Sequence, residues 1–198
     1  MSAAPTPPAV LDRLELRRFN VQEYHRLIET GILNEGDRVE LLEGLLVQKM
    51  VRNPRHDLGL SLTEQTLRPH LPSAWFCRVQ SAITTADSEP EPDLAVVRAP
   101  PRRYAELHPR PEDVLLVVEV ADASLARDRV DKARLYARAA IGQYWIVNVA
   151  DSVLEVHTEP DPGAASYAER RILQSADSVE LTFPGAPPLT VRVSELLP

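Results

Sequence analysis

The chain of 198 residues is short of cysteine and of long apolar runs. Its one cysteine, Cys77, cannot form an internal disulfide. No apolar run approaches the roughly 20 residues that a membrane span needs, because Glu119 interrupts the longest candidate. Residues 1–8 have neither the basic start nor the apolar block of a signal peptide. We therefore expect a soluble, cytoplasmic protein.

Positive charge is also scarce. The formal net charge is -7, whereas general nucleic-acid binders depend on Lys and Arg to neutralise phosphates. One explanation is that carboxylates gather around a divalent cation, which reverses the local field when it is bound. The other is that acidity keeps the protein soluble, and this accounts better for the charge of the chain as a whole.

Three familiar catalytic signatures are missing. No Cys or His cluster has the spacing of a zinc site, and no Gly-x-x-x-x-Gly-Lys loop is present to hold a nucleotide. No Gly-x-Ser-x-Gly elbow supplies a nucleophile. Metal-dependent hydrolysis by acidic residues therefore has no strong competitor among the motifs.

A glutamate interrupts an otherwise apolar strand. Glu119 lies within residues 114–121, whose composition is typical of a strand buried on both faces. Burial of an unpaired carboxylate costs several kcal/mol or more, so this charge needs a partner. Asp93 leads a second short strand, residues 92–97, and Lys132 follows on an amphipathic helix. Asp, Glu and Lys in this order indicate a metal-dependent phosphodiester hydrolase.

The periodicity of the helix predicts the direction of Lys132. At about 100° per residue, Lys132 shares a face with Tyr136 and points towards the protein. A helix that follows a parallel strand packs over the sheet, so we expect this lysine to reach the carboxyl end of the Glu119 strand. The alternative is an Asp128–Lys132 pair at i, i+4, worth only about 0.2–0.5 kcal/mol. Considered together with Asp93, the functional interpretation is favoured.

The chemistry accounts for these residue types. Mg²⁺ or Mn²⁺ takes oxygen ligands and keeps several waters, so Asp93 and Glu119 could hold it with a backbone carbonyl, assigned to Val120, and the substrate phosphate. The metal would polarise a phosphoryl oxygen and acidify a bound water. Lys132 would orient that water or stabilise the charge that develops on the phosphorane.

The pattern predicts one domain over residues 14–198, after a disordered proline-rich stretch at residues 1–13. Strands and helices alternate in a way that implies a mixed α/β sheet, with an N-terminal hairpin and a C-terminal β meander. The predicted elements are a helix capped at Asn20 and ended by Gly31, a hairpin turning at Glu43-Gly44, a helix over about 56–71, strands at 75–79, 82–85, 92–97 and 114–121, the Lys132 helix closed by Gly142, a strand at 143–147, and meander strands at 153–157, 167–173 and 179–183.

Several short motifs occur in a specific order over about residues 17–158. They are Arg38-Val39-Glu40-Leu41-Leu42-Glu43-Gly44, His56, Pro92-Asp93-Leu94-Ala95-Val96, Val117-Val118-Glu119-Val120, Asp128, Lys132, Tyr136 and Gln143-Tyr144-Trp145-Ile146-Val147. In this order they closely resemble the Uma family of restriction endonucleases, within the PD-(D/E)xK nuclease superfamily. The resemblance implies a restriction-endonuclease-like core with flanking helices, Mg²⁺ or Mn²⁺ dependence and frequent homodimerisation.

The resemblance also implies roles for particular residues. Asp93 and Glu119 would be the metal carboxylates, and Lys132 would replace the lysine that most superfamily members carry two residues after the glutamate, where this chain has Ala121. Glu40 matches an upstream acidic position and would be a further ligand, although an exposed hairpin carboxylate is an equal alternative.

The chain departs from the family at two places. After the glutamate the family usually has Ser-Pro, whereas Asp122-Ala123 precede Ser124 here. After the Tyr-Trp-Ile-Val strand it usually has Asp, whereas this chain has Asn148. Both positions are expected in loops near the site.

Basic residues are weaker candidates. His56 could stand near the cleft, although a lone helical histidine is more often a packing or surface residue. The loop that joins the two carboxylate strands could touch phosphates beside the site, although a solvated proline-rich connector is somewhat favoured. Its arginines are Arg98, Arg102, Arg103 and Arg110.

Our hypothesis from the sequence is a metal-dependent endonuclease acting on DNA, with Asp93, Glu119 and Lys132 as the catalytic set. The principal alternative is a non-enzymatic homodimeric module of the same fold, in which Glu119 and Lys132 form a structural pair and a protein partner binds. A third possibility, a hydrolase of small phosphoesters, would show a closed pocket.

Overall fold

A helix and a hairpin begin the part of the chain that the structure, a computed structural model, describes, which is residues 15–198. The stretch predicted to be disordered, residues 1–13, lies outside the described residues. Helix α1 (Val21–Glu29) opens with the predicted capping box, in which Asn20 accepts a hydrogen bond from the Glu23 N–H and Glu23 accepts one from the Asn20 N–H. Gly31 follows its end in a left-handed conformation, with φ +72°.

The predicted hairpin is confirmed. Strands β1 (Val39–Leu42) and β2 (Leu45–Gln48) pair antiparallel and form a sheet of their own. Glu43 and Gly44 connect them with φ values of 48° and 77°, as a two-residue turn of this hand requires. A side chain at position 44 would also collide with Arg18, because its Cβ would lie 2.6 Å from the Arg18 Cβ.

Helix α2 (Pro54–Leu67) connects the hairpin to the main sheet. Its N-terminus has Asn53 as cap, whose side chain accepts a hydrogen bond from the His56 N–H at 3.0 Å, and Pro54 in the first turn. The helix stops at Leu67, earlier than the predicted residue 71, where the chain tightens into a 3₁₀ turn that contains Pro69.

Six strands form the main sheet in chain order. They are β3 (Trp75–Val79), β4 (Leu94–Arg98), β5 (Val114–Ala121), β6 (Gln143–Asn148), β7 (Val153–Asp161) and β8 (Ser166–Gln174). Only β5 and β6 run parallel, and every other neighbouring pair is antiparallel. The sheet is therefore mixed, as the order of elements predicts.

The parallel pair needs a crossover, and a helical segment supplies it. The segment consists of α3 (Leu125–Arg127), a π-helical turn (Asp128–Lys132) and α4 (Ala133–Arg138). It ends before the predicted Gly142, because Ala140 adopts a left-handed φ of 57° and the Ile141 N–H bonds back to the Tyr136 carbonyl. Asp128 and Lys132 lie in the π turn, a type of turn that is frequent at functional sites.

The C-terminal strands divide between two sheets. The first two strands of the predicted meander, β7 and β8, extend the main sheet, while β9 (Ser178–Phe183) pairs with β10 (Ala186–Arg192) in a separate hairpin. The expected strand at Ala82–Thr85 is wrong: these residues form no strand, although the Ile83 N–H bonds to the Pro90 carbonyl and folds the segment back on itself.

Layers on both faces cover the sheet. One face packs against α2 and the β9–β10 hairpin, through residues such as Leu60, Leu67 and Leu181. The other packs against the crossover segment and the β1–β2 hairpin, through residues such as Leu135 and Leu42.

In residues 15–198, no helix has the length and apolar character that crossing a membrane requires. The remaining short 3₁₀ turns are Glu35–Asp37, Arg68–His70, Pro101–Tyr104, Pro111–Asp113 and Val193–Glu195.

One buried histidine makes the stability of the fold sensitive to acid. His157 on β7 packs against the rings of Tyr144 and Tyr167, at centroid distances of 5.4 and 5.7 Å. Among the described residues its buried Nε2 has no hydrogen-bond partner. Burial, and then the charge of Arg170, lower the pKa of His157 to about 4.

We expect His157→Phe to flatten the acid side of the stability profile. The folded protein keeps this imidazole neutral, so its contribution is complete above the ordinary pKa of 6.5 and is lost as the pH falls towards about 4. Urea unfolding between pH 4 and 7 measures the effect, with the exposed His70→Phe as control. Parallel pH profiles for wild type and His157→Phe would contradict this account.

Candidate active site

Two adjacent strands bring the two predicted metal carboxylates together. β4 and β5 are antiparallel with Leu94 opposite Val118, so Asp93, the residue before β4, lies next to Glu119. The Asp93 N–H approaches Glu119 Oε2 at 3.4 Å, and the Val120 N–H donates to Asp93 Oδ2 at 2.8 Å. Val120 thus takes part through its N–H, and the metal role of its carbonyl stays a prediction.

Lys132 reaches this pair from the crossover segment. Its Nζ donates to Glu119 Oε1 at 3.0 Å and to Glu40 Oε2 at 3.2 Å, and its side chain is 6 % exposed. The inward direction inferred from the helical periodicity is what the structure shows. The alternative i, i+4 pairing does not describe this lysine, since the Asp128 carboxylate accepts a hydrogen bond from Ser124 Oγ at 2.6 Å instead.

Glu40 belongs to the same cluster and is not an exposed hairpin carboxylate. It is 3 % exposed, and besides Lys132 its Oε2 accepts the Glu91 N–H at 3.1 Å. The β1–β2 hairpin therefore places this side chain beside Lys132, next to the main sheet. The backbone of the hairpin is also held here, because the Glu89 N–H donates to the Leu41 carbonyl at 2.7 Å.

His56 approaches Asp93 from helix α2. Its Nε2 lies 3.0 Å from Asp93 Oδ2, the oxygen that also receives the Val120 N–H. Close contact of α2 with β5 makes this possible, because a Cβ at Gly59 would lie 3.0 Å from a methyl of Val120. His56 is thus a buried neighbour of a site carboxylate and not a surface residue.

The sequence analysis did not assign Tyr136 to the site. Its hydroxyl donates to Glu119 Oε1 at 2.8 Å and it is fully buried. The available signal was its position four residues after Lys132, on the same helical face. Lys132 was also conspicuous in the sequence, because the chain has two lysines, Lys49 and Lys132, against 20 arginines.

Negative charge exceeds positive charge in the cluster. The four carboxylates are Glu40, Asp93, Glu119 and Asp128, and one ammonium, that of Lys132, lies among them. Burial raises the pKa of Glu119, against the opposing effect of Lys132, and the other carboxylates raise it further. Burial likewise raises the pKa of Asp128 to about 6. The cluster as a whole therefore favours an additional positive charge.

The pKa values of the two basic groups, Lys132 and His56, are also raised, but here the nearby carboxylates are the cause and burial opposes the shift. Burial disfavours the charged form of Lys132, but Glu119 and Glu40 outweigh it and hold the lysine pKa above its ordinary value. Burial also opposes protonation of His56, yet the hydrogen bond and charge of Asp93 raise its pKa. Lys132 is a fixed cation at any physiological pH.

The cluster lies at the bottom of a cleft of about 750 Å³. Both lysines line it, and Lys49 is paired with Glu91. Three arginines that the sequence analysis did not single out also line it, namely Arg38, Arg52 and Arg127. Among residues 15–34 and 36–198, no three His, Cys, Asp or Glu side chains converge closely enough to form a metal site by themselves.

The arginine-containing loop that joins the two carboxylate strands does not lie beside the site, so its predicted position is wrong. Asp93 precedes β4 and Arg98 ends it, so the loop to β5 leaves from the far end of the strand, about 17 Å away at roughly 3.4 Å per residue. Arg98 stacks over Trp75, and Arg103 pairs with Asp113 at 2.9 Å. Arg102 is exposed, and none of the three lines the cleft.

The two departures from the family pattern have structural partners. The Asp122 carboxylate accepts a hydrogen bond from the side chain of Asn53, which ties the end of β5 to the start of α2. The Asn148 amide donates to Asp151 Oδ2 at 2.9 Å and to Glu155 Oε1 at 3.0 Å. A carboxylate at position 148 would face these two carboxylates, so the amide suits this turn better.

Comparison with known proteins agrees with the fold. The chain is similar to a solved protein from Anabaena variabilis ATCC 29413 described as "a putative nuclease belonging to DUF820", with a TM-score of 0.62 and 14% identity over 90% of this chain and 97% of that one. No curated protein matches the chain. The family model described as "Putative restriction endonuclease" matches residues 21–192. This chain therefore belongs to the Uma2 family.

Proposed function

We propose that the protein hydrolyses phosphodiester bonds of DNA with Mg²⁺ or Mn²⁺ held by Asp93 and Glu119. Membership of the family supports a nuclease function. The observation that carries the proposal is the convergence of two carboxylates from neighbouring strands with a buried lysine at the base of one cleft. Such a set of perturbed groups in one cleft is typical of catalytic sites.

The donor atoms suit a hard divalent cation. Asp93 Oδ2 is occupied by Val120 and His56, and Glu119 Oε1 by Lys132 and Tyr136. Within the described residues, Asp93 Oδ1 has no hydrogen-bond partner and Glu119 Oε2 has only the long contact to the Asp93 N–H. Each carboxylate thus offers one oxygen, which suffices for an ion that keeps several waters and takes a substrate phosphate.

The side chains around the two metal carboxylates have separate roles in the proposed reaction. A bound divalent cation supplies Lewis acidity towards the phosphate and acidifies a water. Lys132 has three N–H donors and uses two on Glu119 and Glu40, so the third is available to the charge that develops on the phosphate. Glu40 keeps the ammonium in place from the hairpin side. Tyr136 fixes the orientation of the Glu119 carboxylate.

One observation favours the alternative of a non-enzymatic module. Lys132, Glu40, Glu119 and Tyr136 are linked to one another by hydrogen bonds, and backbone N–H groups supply the other contacts of the two glutamates. Such a buried network could hold the hairpin to the sheet in a homodimeric protein that binds a protein partner. This alternative predicts that the cluster does not take up a metal ion.

Plasmid cleavage and metal titration of matched variants test the hydrolase. We expect relaxation or linearisation of plasmid in Mg²⁺ or Mn²⁺, none in chelator, and none with Asp93→Asn, whose calorimetric metal titration should also lose its signal. The control Asp131→Asn changes an exposed carboxylate on the crossover segment and should behave as wild type. Equal metal binding by wild type and Asp93→Asn would refute the site.

Replacement of Lys132 distinguishes the hydrolase from the non-enzymatic module. Lys132→Met leaves Glu40 and Glu119 buried without their cation, so in chelator we expect the free energy of unfolding to fall by about 3–5 kcal/mol. The control Lys49→Met breaks a half-exposed pair worth about 0–1 kcal/mol.

Mg²⁺ should return part of the lost stability to Lys132→Met, because the ion replaces the missing positive charge, while cleavage stays abolished. Chemical denaturation in Mg²⁺ and in chelator gives the comparison. Destabilisation that Mg²⁺ leaves unchanged, together with an inactive wild type, would support the module instead.

His56 has a positioning role in the hydrolase. Since it holds the Asp93 oxygen that does not face the metal position, His56→Ala should weaken Mg²⁺ binding by about 10–100-fold, as loss of such supporting contacts usually does. His56→Gln keeps an N–H donor at the same distance from the backbone and should restore most of the affinity. Equal metal affinity of the Ala and Gln variants would show that His56 only fills space.

A further inference from the structure

The mouth of the cleft carries three arginines that form no ion pair with the described side chains. Arg38, Arg52 and Arg127 line the cleft, and among residues 15–34 and 36–198 none of them has a carboxylate within ion-pair distance. Most arginines of the described fold that make side-chain contacts are paired with Asp or Glu, namely Arg17, Arg68, Arg103, Arg129, Arg134, Arg138 and Arg170. In a chain of net charge -7, unpaired arginines gathered at one opening indicate an anionic ligand.

The hydrogen bonds of two of these arginines leave most of their donors free. A guanidinium of Arg38 donates to the Met50 carbonyl at 3.4 Å, and that of Arg127 donates to the Gln48 carbonyl at 3.0 Å. Each guanidinium has five N–H groups, so these contacts orient the side chains and leave donors for phosphate oxygens.

The depth of the site limits what can enter. Side chains of Glu119 and Asp93 are only 6 % and 14 % exposed, at the base of a cleft of about 750 Å³. A DNA duplex is a stiff rod with phosphates on its outer surface, and a cleft of about 750 Å³ is too small to enclose it. A single strand is flexible enough to pass its backbone into the cleft.

Apolar side chains at the same mouth fit bases and sugars. Ile28, Met50 and Val51 line the cleft and are 46%, 41% and 79% exposed. Apolar surface beside unpaired arginines matches a strand whose unpaired bases are apolar on their faces and whose backbone is anionic. A paired duplex keeps the apolar faces of its bases stacked inside the helix, where these residues could not reach them.

We propose that the cleft admits a single nucleic-acid strand, whose backbone phosphates on either side of the reacting one are held by Arg38, Arg52 and Arg127. This inference rests on the proposed hydrolase for the identity of the reacting phosphate. It extends that proposal by the form of the substrate, since a duplex would be cut only where a strand end or an unpaired region is present, such as the locally separated strands of a supercoiled plasmid.

Fluorescence anisotropy tests the inference through binding alone. The probes are a labelled 12-nucleotide single strand, the blunt duplex of the same sequence and a labelled dinucleotide, with Ca²⁺ in place of Mg²⁺ to avoid turnover. We expect the single strand to bind about tenfold or more tightly than the duplex and the dinucleotide, because several phosphate contacts contribute. Cleavage in Mn²⁺ should follow the same order, with a duplex bearing a single-stranded tail ahead of the blunt one.

Matched triple variants test the arginines. Arg38→Gln/Arg52→Gln/Arg127→Gln should weaken single-strand binding and make its salt dependence shallower by about two units of logarithmic slope, at about 0.7 per phosphate contact. The control Arg102→Gln/Arg110→Gln/Arg171→Gln removes the same charge from exposed positions outside the cleft and should bind as wild type. Equal melting temperatures of the two variants exclude unfolding as the cause.

The outcomes separate this inference from the hydrolase. Equal affinity for single strand and blunt duplex, equal affinity for the dinucleotide, no binding at all, or equal loss in both triple variants would each overturn it. Cleavage of blunt duplex without single-strand preference would leave the hydrolase standing and refute only the strand inference. Arginine-dependent single-strand preference with no cleavage in any metal would support the strand inference and count against the hydrolase.

Discussion

The contact between Lys132 and its two glutamates is the interaction on which the site depends. Glu119 comes from the centre of the main sheet, Glu40 from a hairpin outside it and Lys132 from the crossover between two parallel strands. One ammonium therefore joins three parts of the fold that share no strand pairing at this point. Each partner is buried, so none of the three charges can be left alone without a large desolvation cost.

The contact between Lys132 and the two glutamates leaves an excess of negative charge in the site. Four carboxylates and one lysine cannot neutralise one another, and the excess stays at the base of the cleft. A protein selected for stability alone would replace such a cluster with apolar side chains of similar volume. Retention of the cluster in an open cleft is therefore more easily understood as preparation for a cation than as a device for holding the fold.

The sequence predicted the parts of the site that follow from local pattern. Asp93 and Glu119 stand out because each interrupts or leads an apolar strand, and the direction of Lys132 follows from helical periodicity. The arginine loop was misplaced because the sequence does not state that β4 and β5 are antiparallel neighbours with the carboxylates at the end away from their connecting loop. Arg38, Arg52 and Arg127 come from three separate elements, and only tertiary structure brings them to one opening.

The distribution of lysine has a consequence for chemical modification. Lys49 and Lys132 are the two lysines of the chain, and both line the cleft. Lys132 is held protonated and almost fully buried, whereas the side chain of Lys49 is 28 % exposed. Acylation needs an accessible, neutral amine. Any acetylation of a lysine side chain in this protein would therefore fall first on Lys49, at the opening of the cleft, and would release the carboxylate of Glu91 there as an unpaired negative charge.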